Sequence, residues 1–231
     1  MTLINQMLKE RRIANYLAYA LGEIILVVIG ILIALKINNW NIAQLNIEDE
    51  KMLYAGIQRQ IIKDRDILKS VIDLNHKHKN QFEKAKEIIV QQDREAIDTL
   101  AFFAMTLSQY SDFHRSSNIY ETLVNSGNLK LIRDHNFPGL LQELEMTYNH
   151  INKLEDIHWD IILAELSPAI RGVINYSNLK VIDPERLYSV DLQNFFVESI
   201  YLTAGKNYVY EQALKQINII LGKIEEEIGS D

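Results

Sequence analysis

Three long stretches of the sequence repeat apolar residues at alternating spacings of three and four positions. The first stretch consists of Tyr54, Ile57, Ile61, Asp64, Leu68, Val71, Asn75, His78, Phe82, Ala85 and Ile89. The second consists of Phe137, Leu141, Leu144, Tyr148, Ile151, Glu155, His158 and Ile162. The third consists of Tyr210, Leu214, Ile217, Leu221, Ile224 and Ile228. Residues at this spacing share one helix face, so the pattern predicts an all-α fold in which long helices pack as an antiparallel helical bundle with coiled-coil-like contacts.

Polar residues interrupt the first of these seams at Asp64, Asn75 and His78. Polar groups in a packed seam usually specify the register of the helices or mark where a helix emerges into water, and they form a ligand site less often. We therefore expect these three side chains to have structural partners.

Turn and capping residues divide the chain between the seams. The run Gln91–Asp93 predicts a helix break, and the apolar segment Ala96–Leu107 predicts a core helix. Ser116 or Ser117 is positioned to cap a short helix that ends at Gly127, where a left-handed residue suits a helix C-terminus.

The last third of the sequence contains two further boundaries. Pro168 is expected to end or kink the second long helix, because proline lacks the backbone N–H. A looser connection is predicted over residues 172–188, after which Asp191 can cap a separate helix carrying Phe196. The C-terminal seam is predicted to form its own helix, closed by Gly229.

The segment Tyr16–Leu35 is continuously apolar except for Glu23. Twenty helical residues rise about 30 Å, the thickness of the hydrocarbon core of a bilayer. A cleaved signal peptide is the competing interpretation, but the residues after Ala34 lack the small-residue pattern of a cleavage site. The sequence therefore predicts a cytoplasmic basic amphipathic segment over residues 1–15, a transmembrane helix over residues 16–40 and a periplasmic helical-bundle domain over residues 41–231.

Flanking charges predict the orientation of this helix. Lys9, Arg11 and Arg12 precede the apolar segment, whereas Lys36 alone follows it before the acidic run 48–50. Positive charge favours the cytoplasmic side, so we expect a protein of the bacterial inner membrane with a cytoplasmic N-terminus and a periplasmic C-terminal domain.

Basic and aromatic residues at both ends of the segment suit the headgroup level of a membrane. The predicted membrane-interface anchors are Arg11, Arg12, Tyr16, Tyr19 and Trp40. Before them, residues 2–13 carry apolar and basic residues. This part is either a short helix on the cytoplasmic surface or a frayed basic tail, and the sequence leaves both interpretations open.

Small residues and the single carboxyl group lie on one face of the predicted span. This small-residue face consists of Ala20, Glu23, Val27, Gly30 and Ala34. Helices in lipid associate through close backbone approach and polar contacts, so we expect transmembrane self-association at this face. Glu23 itself has three interpretations: a hydrated group near the headgroups, a polar contact between packed spans, or part of an ion or proton pathway.

Composition restricts the partners of the protein. The net charge is −7, which disfavours binding to nucleic acid because no basic surface would offset the phosphates. The 231-residue sequence contains no cysteine and none of the common motifs for phosphate, dinucleotide, acyl-transfer or zinc-protease chemistry. We therefore expect no enzyme activity, no cofactor and no bound metal.

Glu155 and His158 form an E-x-x-H pair, the element that binds iron in carboxylate four-helix bundles when two copies converge. Only one copy is present, so the pair is interpreted as a surface or seam pair that satisfies its own hydrogen bonds. His76 and His78 point to different sides of a helix and make a poor metal pair.

Two segments carry a resemblance to a known family. They are GEIILVVIGILIALKINNWN at Gly22–Asn41 and NIYETLVNSGNLKLIR at Asn118–Arg133. In combination they resemble an uncharacterised family of single-span membrane proteins from Bacteroidetes, defined as a domain of unknown function. Such proteins commonly have Gln where this chain has Lys36, a difference that weakens the charge argument. The resemblance implies the membrane topology and supplies no catalytic residues.

These observations leave two functional hypotheses. The first is a structural, assembly or interaction component of the cell envelope that contacts the lipid bilayer, self-associates as a homo-oligomer and binds an envelope protein partner. The second is a ligand- or peptide-binding sensor module that signals through the membrane helix to a separate partner. A cavity near Asp64, Asn75 and His158 would favour the second hypothesis.

Overall fold

The protein is helical throughout the part that the structure describes. A computed structural model describes the backbone of residues 2–229 and the side chains of residues 16 and 19–229. The α-helices are α1 (Thr2–Gln91), α2 (Ile97–Thr106), α3 (Ile119–Ser126), α4 (Phe137–Ile161), α5 (Ser167–Ile170), α6 (Pro184–Leu187) and α7 (Val190–Gly229). A 3₁₀ turn (Asn128–Leu131) and a π-helical turn (Ile162–Leu166) lie between them. The predicted all-α fold with a long apolar N-terminal helix is confirmed.

The chain divides into two compact units, with the boundary within α1 between Met52 and Leu53. The first unit contains a helical segment that is long and apolar enough to cross a membrane, and none of its most apolar window is buried within the protein. Its large apolar side chains are exposed, with Leu26 at 74% and Ile24 at 62%. Such exposure is unfavourable in water, so α1 contains a candidate membrane span.

The second unit contains the packed cores. All eleven positions of the first predicted seam and all eight of the second are buried. In the third seam Tyr210, Ile217, Leu221 and Ile224 are buried, and Leu214 and Ile228 are half-buried. The alternating spacing therefore identified the packed face of each long helix.

Residue pairs give the directions of the three long helices in this unit. The rings of Tyr54 on α1 and Phe137 on α4 lie 4.9 Å apart, and Asp64 bonds to Tyr148 further along both helices. These two helices therefore run in the same direction. By contrast, α4 and α7 run in opposite directions, because Glu155 bonds to Tyr210 and the later His158 bonds to the earlier Lys206. The helix directions are thus mixed rather than alternating throughout.

Two predicted helix caps are wrong. Asn118, not Ser116 or Ser117, accepts the hydrogen bond from the Glu121 N–H at the start of α3, at 3.1 Å. The two serines are engaged by α1, where the Ser117 hydroxyl bonds to the Gln60 side chain. The predicted C-terminal residue of this helix, Gly127, is confirmed with φ +70°.

At the start of α7 the capping side chain is Ser189, which accepts from the Leu192 N–H at 3.2 Å. Asp191, the predicted cap, lies within the first turn, where its charge suits the helix dipole. The predicted separate C-terminal helix is also wrong, since α7 continues without a break from Val190 to Gly229.

The predicted breaks at Gln91–Asp93 and Pro168 are confirmed. Gln92 adopts φ +51° directly after α1 ends. Ahead of Pro168 the helix widens into a π turn, in which the Ser167 N–H bonds to the Ile162 carbonyl, and α5 ends two residues later at Ile170. A wider turn accommodates a proline that cannot supply the next α-helical hydrogen bond.

Candidate functional site

The small-residue face predicted for the membrane helix is solvent-facing in the first unit. Glu23, Val27, Gly30 and Ala34 are exposed, and Ala20 is half-buried. A shallow recess of about 310 Å³ brings Ala20, Glu23 and Val27 together with two neighbouring apolar residues. Three residues of the small-residue face therefore share one recess, and Gly30 and Ala34 lie outside it.

Three of the predicted membrane anchors have described side chains. Tyr16 and Tyr19 are each 78% exposed, and Trp40 is 65% exposed. Arg11 and Arg12, with the side chains of the predicted amphipathic segment 1–15, lie outside the described side chains.

The polar seam residues of α1 have structural partners. Asp64 accepts hydrogen bonds from the Ser116 N–H at 2.7 Å and from the Tyr148 hydroxyl at 3.2 Å. Asn75 donates to Asn207 of α7 at 2.7 Å. Asp64 thus joins α1 to α4 and to the chain before α3, and Asn75 joins α1 to α7. Because each bond requires two particular residues to face one another, these pairs fix the register of the packed helices.

Glu155 carries the buried carboxyl group of α4. Its Oε1 accepts a hydrogen bond from the Phe113 N–H at 2.8 Å and another from the Tyr210 hydroxyl. Burial raises the pKa of Glu155 to about 7, although both hydrogen bonds oppose this change. The carboxyl group therefore titrates near neutral pH.

Lys206 and His158 form a buried pair next to this carboxyl group. Lys206 Nζ lies 2.9 Å from His158 Nδ1 and 3.5 Å from the Ser111 carbonyl oxygen. Burial lowers the pKa of Lys206 to about 8 and that of His158 to about 3. At neutral pH a charged lysine therefore donates to a neutral imidazole. The interpretation of Glu155 and His158 as a satisfied seam pair agrees with these contacts.

The apolar pattern of the sequence did not predict that Lys206 is buried. A signal was available, because counting back from Tyr210 by three and four gives Lys206 or Asn207, then Thr203, Ser199 and further buried positions. The third seam was defined by apolar residues alone and was therefore predicted to begin at Tyr210. The buried positions before Tyr210 are polar, so they were not recognised as part of the same helix face.

Three ionisable side chains from three helices hold the loop between α2 and α3 (residues 107–118), called the connecting loop below. Asp64 of α1 accepts from the Ser116 N–H and Glu155 of α4 accepts from the Phe113 N–H. Lys206 of α7 donates to the Ser111 carbonyl. The loop has no regular backbone pairing of its own here, so these side chains supply partners for its buried polar groups.

The connecting loop and α4 together form a pocket of about 310 Å³. This aromatic pocket is lined by Tyr110, Asp112, His114, Asn152, Glu155, Asp156 and Trp159. The rings of Tyr110 and Trp159 lie 5.1 Å apart at an interplanar angle of 33°. An open pocket with a packed aromatic pair on one side and several carboxyl groups can bind a small ligand by shape and charge.

No group of three or more His, Asp or Glu side chains suited to a metal ion occurs among the residues whose side chains are described. His158 Nδ1 is occupied by Lys206, which also leaves the E-x-x-H pair poorly disposed to bind a cation. The cluster can instead take up and release protons within a buried hydrogen-bond network.

Comparison with known proteins identifies a family for most of the chain. Residues 23–203 match the model of a family described as a family of unknown function (DUF6090). This range includes residues 23–35 of the apolar segment, the connecting loop and all of α4, and it ends within α7 before Lys206 and Tyr210. No curated protein and no solved structure matches the chain. The predicted resemblance to a family of unknown function is confirmed.

Proposed function

We propose that this chain, which belongs to the DUF6090 family of unknown function, is a single-pass inner-membrane protein whose helical domain acts as an assembly or interaction component of the cell envelope. The observation that carries the proposal is the exposed apolar segment of α1 in a chain whose second unit has its own buried cores. Lipid is the environment that accepts such a segment, and the packed unit remains available to partners. The net charge of −7 supports protein partners over nucleic acid, and the proposed role involves no catalysis.

The proposed orientation places the N-terminus in the cytoplasm and the domain from residue 41 onward in the periplasm. The basic residues before Tyr16 and the acidic run after Trp40 support it. We expect alkaline phosphatase fused after Asp231 to be active in intact cells, and green fluorescent protein at the same position to remain dark. A phosphatase fusion after residue 15 is the control and is expected to be inactive. A fluorescent fusion after Asp231 would contradict the orientation.

The proposed assembly is a homo-oligomer that forms through the small-residue face of the span. Gly30 is central to this face, and a Cβ atom added there would meet nothing within 4 Å apart from its chain neighbours and the adjacent turns of its own helix backbone. Any loss caused by a larger side chain would therefore come from contact with another copy. Close backbone approach is the main source of association between helices in lipid.

Replacing Gly30 with leucine is expected to shift the protein from oligomer to monomer in detergent. Light scattering coupled to size-exclusion chromatography measures the change at matched protein concentrations. Gly22→Leu is the matched control, because Gly22 lies off the small-residue face and its Cβ position is equally open. Unchanged oligomers in Gly30→Leu, or equal losses in both variants, would place the contact elsewhere.

A second candidate function is a ligand-binding module that signals through α1 to a separate partner. The aromatic pocket favours it, since Glu155 lies both at the pocket and in the hydrogen-bond network that reaches α7. The cavity was expected near Asp64, Asn75 and His158, whose side chains instead bond to neighbouring residues. The pocket lies between the connecting loop and the α4 residues Asn152, Glu155, Asp156 and Trp159, next to His158 but away from Asp64 and Asn75 in the sequence.

A further inference from the structure

The aromatic pocket has two walls of different origin. Tyr110, Asp112 and His114 come from alternate positions of the connecting loop, whereas Asp156 and Trp159 come from one side of α4. The Trp159 side chain is 41% exposed although it is the largest apolar group at this site. An indole left half open at the mouth of a pocket has a face available for a ligand.

Backbone contacts hold the loop wall in place on both sides of Asp112. The Ser111 carbonyl accepts from Lys206, and the Phe113 N–H donates to Glu155. A ligand would therefore meet a preformed wall and would not have to order the loop, a cost that otherwise weakens binding.

Negative charge dominates the lining of the pocket. Asp112 and Asp156 contribute two carboxyl groups, and Glu155 adds a third that is about half ionised near pH 7. An opposing charge is supplied by Lys206, whose ammonium lies over the Tyr110 ring at 5.8 Å from its centre. The pKa of the Tyr110 hydroxyl is raised, mainly by burial and further by the charges of these three carboxyl groups. The pocket thus disfavours an added anion.

The pairing of His114 with Asp112 limits which carboxylates are free. His114 Nε2 lies 2.9 Å from Asp112 Oδ2, and the histidine side chain is 84% exposed. Glu155 is engaged by Phe113 and Tyr210. Asp156 is exposed on α4, and we therefore assign it the principal charge contact with a ligand.

We propose that the aromatic pocket binds a small alkylammonium ion, with its alkyl groups against the exposed part of the Trp159 indole and its charge next to Asp156. Aromatic faces attract such cations, and carboxylates neutralise them without needing several donated hydrogen bonds. The volume of about 310 Å³ is at the lower end for ligand pockets, which suits a compact ion. The proposal deepens the second candidate function and is independent of self-association.

The test uses the full chain in dodecyl maltoside, a detergent without an ammonium group, and choline chloride as the probe. Trp40 and Trp159 are the two tryptophans of the sequence, so a Trp40→Phe background makes fluorescence report on the pocket alone. We expect saturable quenching by choline, with a dissociation constant on the order of a millimolar or below. Dimethylbutanol, which has a carbon atom in place of the ammonium nitrogen, is expected not to bind.

Choline binding to single-residue variants, measured by calorimetry, tests which side chains contact the ligand. Asp156→Asn is expected to weaken choline binding about tenfold, which corresponds to one lost charge contact in a partly desolvated site. Asp160→Asn is the matched control, since Asp160 is exposed on the same helix and does not line the pocket. Trp159→Leu should abolish binding and Trp159→Phe should restore part of it, because phenylalanine retains an aromatic face.

A second probe distinguishes a free ammonium ion from a lipid headgroup. Glycerophosphocholine carries the same ammonium group with an added phosphate, which the carboxylates should repel, so we expect weaker binding than for choline. If glycerophosphocholine bound more tightly than choline, the pocket would still recognise an ammonium group, and the ligand would be a lipid headgroup. Equal binding of choline and dimethylbutanol, or no binding of choline, would overturn the proposal and leave the orientation and oligomer tests unaffected.

Discussion

Replacing Phe137 with alanine is expected to lower the free energy of unfolding of the helical domain by about 3–5 kcal/mol. Phe137 is fully buried at the start of α4, and its ring lies edge-on to Tyr54 of α1 at 4.9 Å. The substitution removes the apolar contact and leaves a cavity between two helices that cannot close without moving their backbones. Urea unfolding of the full chain in detergent, followed by circular dichroism, measures the change.

Met146→Ala is the control for this prediction, because Met146 lies on the same helix and is 65% exposed. It should change the free energy of unfolding by less than about 0.5 kcal/mol. A loss below about 1 kcal/mol for Phe137→Ala would contradict the packing of α1 against α4, since fully buried aromatic residues rarely cost so little to remove.

The second large effect concerns the dependence of stability on pH. Glu155→Gln is expected to stabilise the domain relative to the unchanged protein as the pH rises from about 4 to about 7.5, by about 3 kcal/mol over that interval. Glutamine keeps an oxygen that can accept from the Phe113 N–H and the Tyr210 hydroxyl, but it cannot become charged. Unfolding free energies of both proteins at several pH values measure the difference.

The sign follows from the direction of the pKa change. Burial raises the pKa of Glu155 in the folded protein to about 7, above its ordinary value of 4.5. The folded state therefore favours the protonated carboxyl group. This contribution to stability is fully present below pH 4.5 and is lost as the pH rises through about 7. The glutamine side chain of the variant has no such loss, because it does not titrate.

His158 changes stability in the opposite direction, because its pKa is lowered to about 3 and its contribution is lost as the pH falls from 6.5 toward that value. This effect is common to both proteins and cancels in their difference. Glu143→Gln, at an exposed position of α4, is expected to leave the pH profile unchanged. A profile for Glu155→Gln that is parallel to that of the unchanged protein would show that this carboxyl group titrates normally.

The local pattern of the sequence was sufficient to predict the long helices and their packed faces. Positions such as Ile61, Leu144 and Ile217 repeat with the period of a helix, and burial of one face follows from that period wherever the helix packs. The apolar segment around Gly30 was predictable for the same reason, since length and composition alone identify it.

Helix caps and helix directions were less predictable. Asn118 caps α3 because Ser116 and Ser117 are drawn to Asp64 and Gln60 on α1. Serine and asparagine are both acceptable capping residues, and contacts with α1, which is distant in sequence, determine which of them caps α3. The residues next to the cap in the sequence do not indicate this outcome. The parallel arrangement of α1 and α4 likewise depends on the path of the connecting segments.

By itself, the sequence determined where the apolar span lies, which stretches are helical and which face of each helix is buried, because these properties depend on residues three or four positions apart. Only the tertiary structure decided how Asp64, Glu155 and Lys206 meet the connecting loop, and therefore where the aromatic pocket forms. Each of those contacts joins a helix side chain to the backbone of the connecting loop, across 42 to 95 positions of sequence. The sequence of the loop has no periodic pattern from which these partners could be predicted.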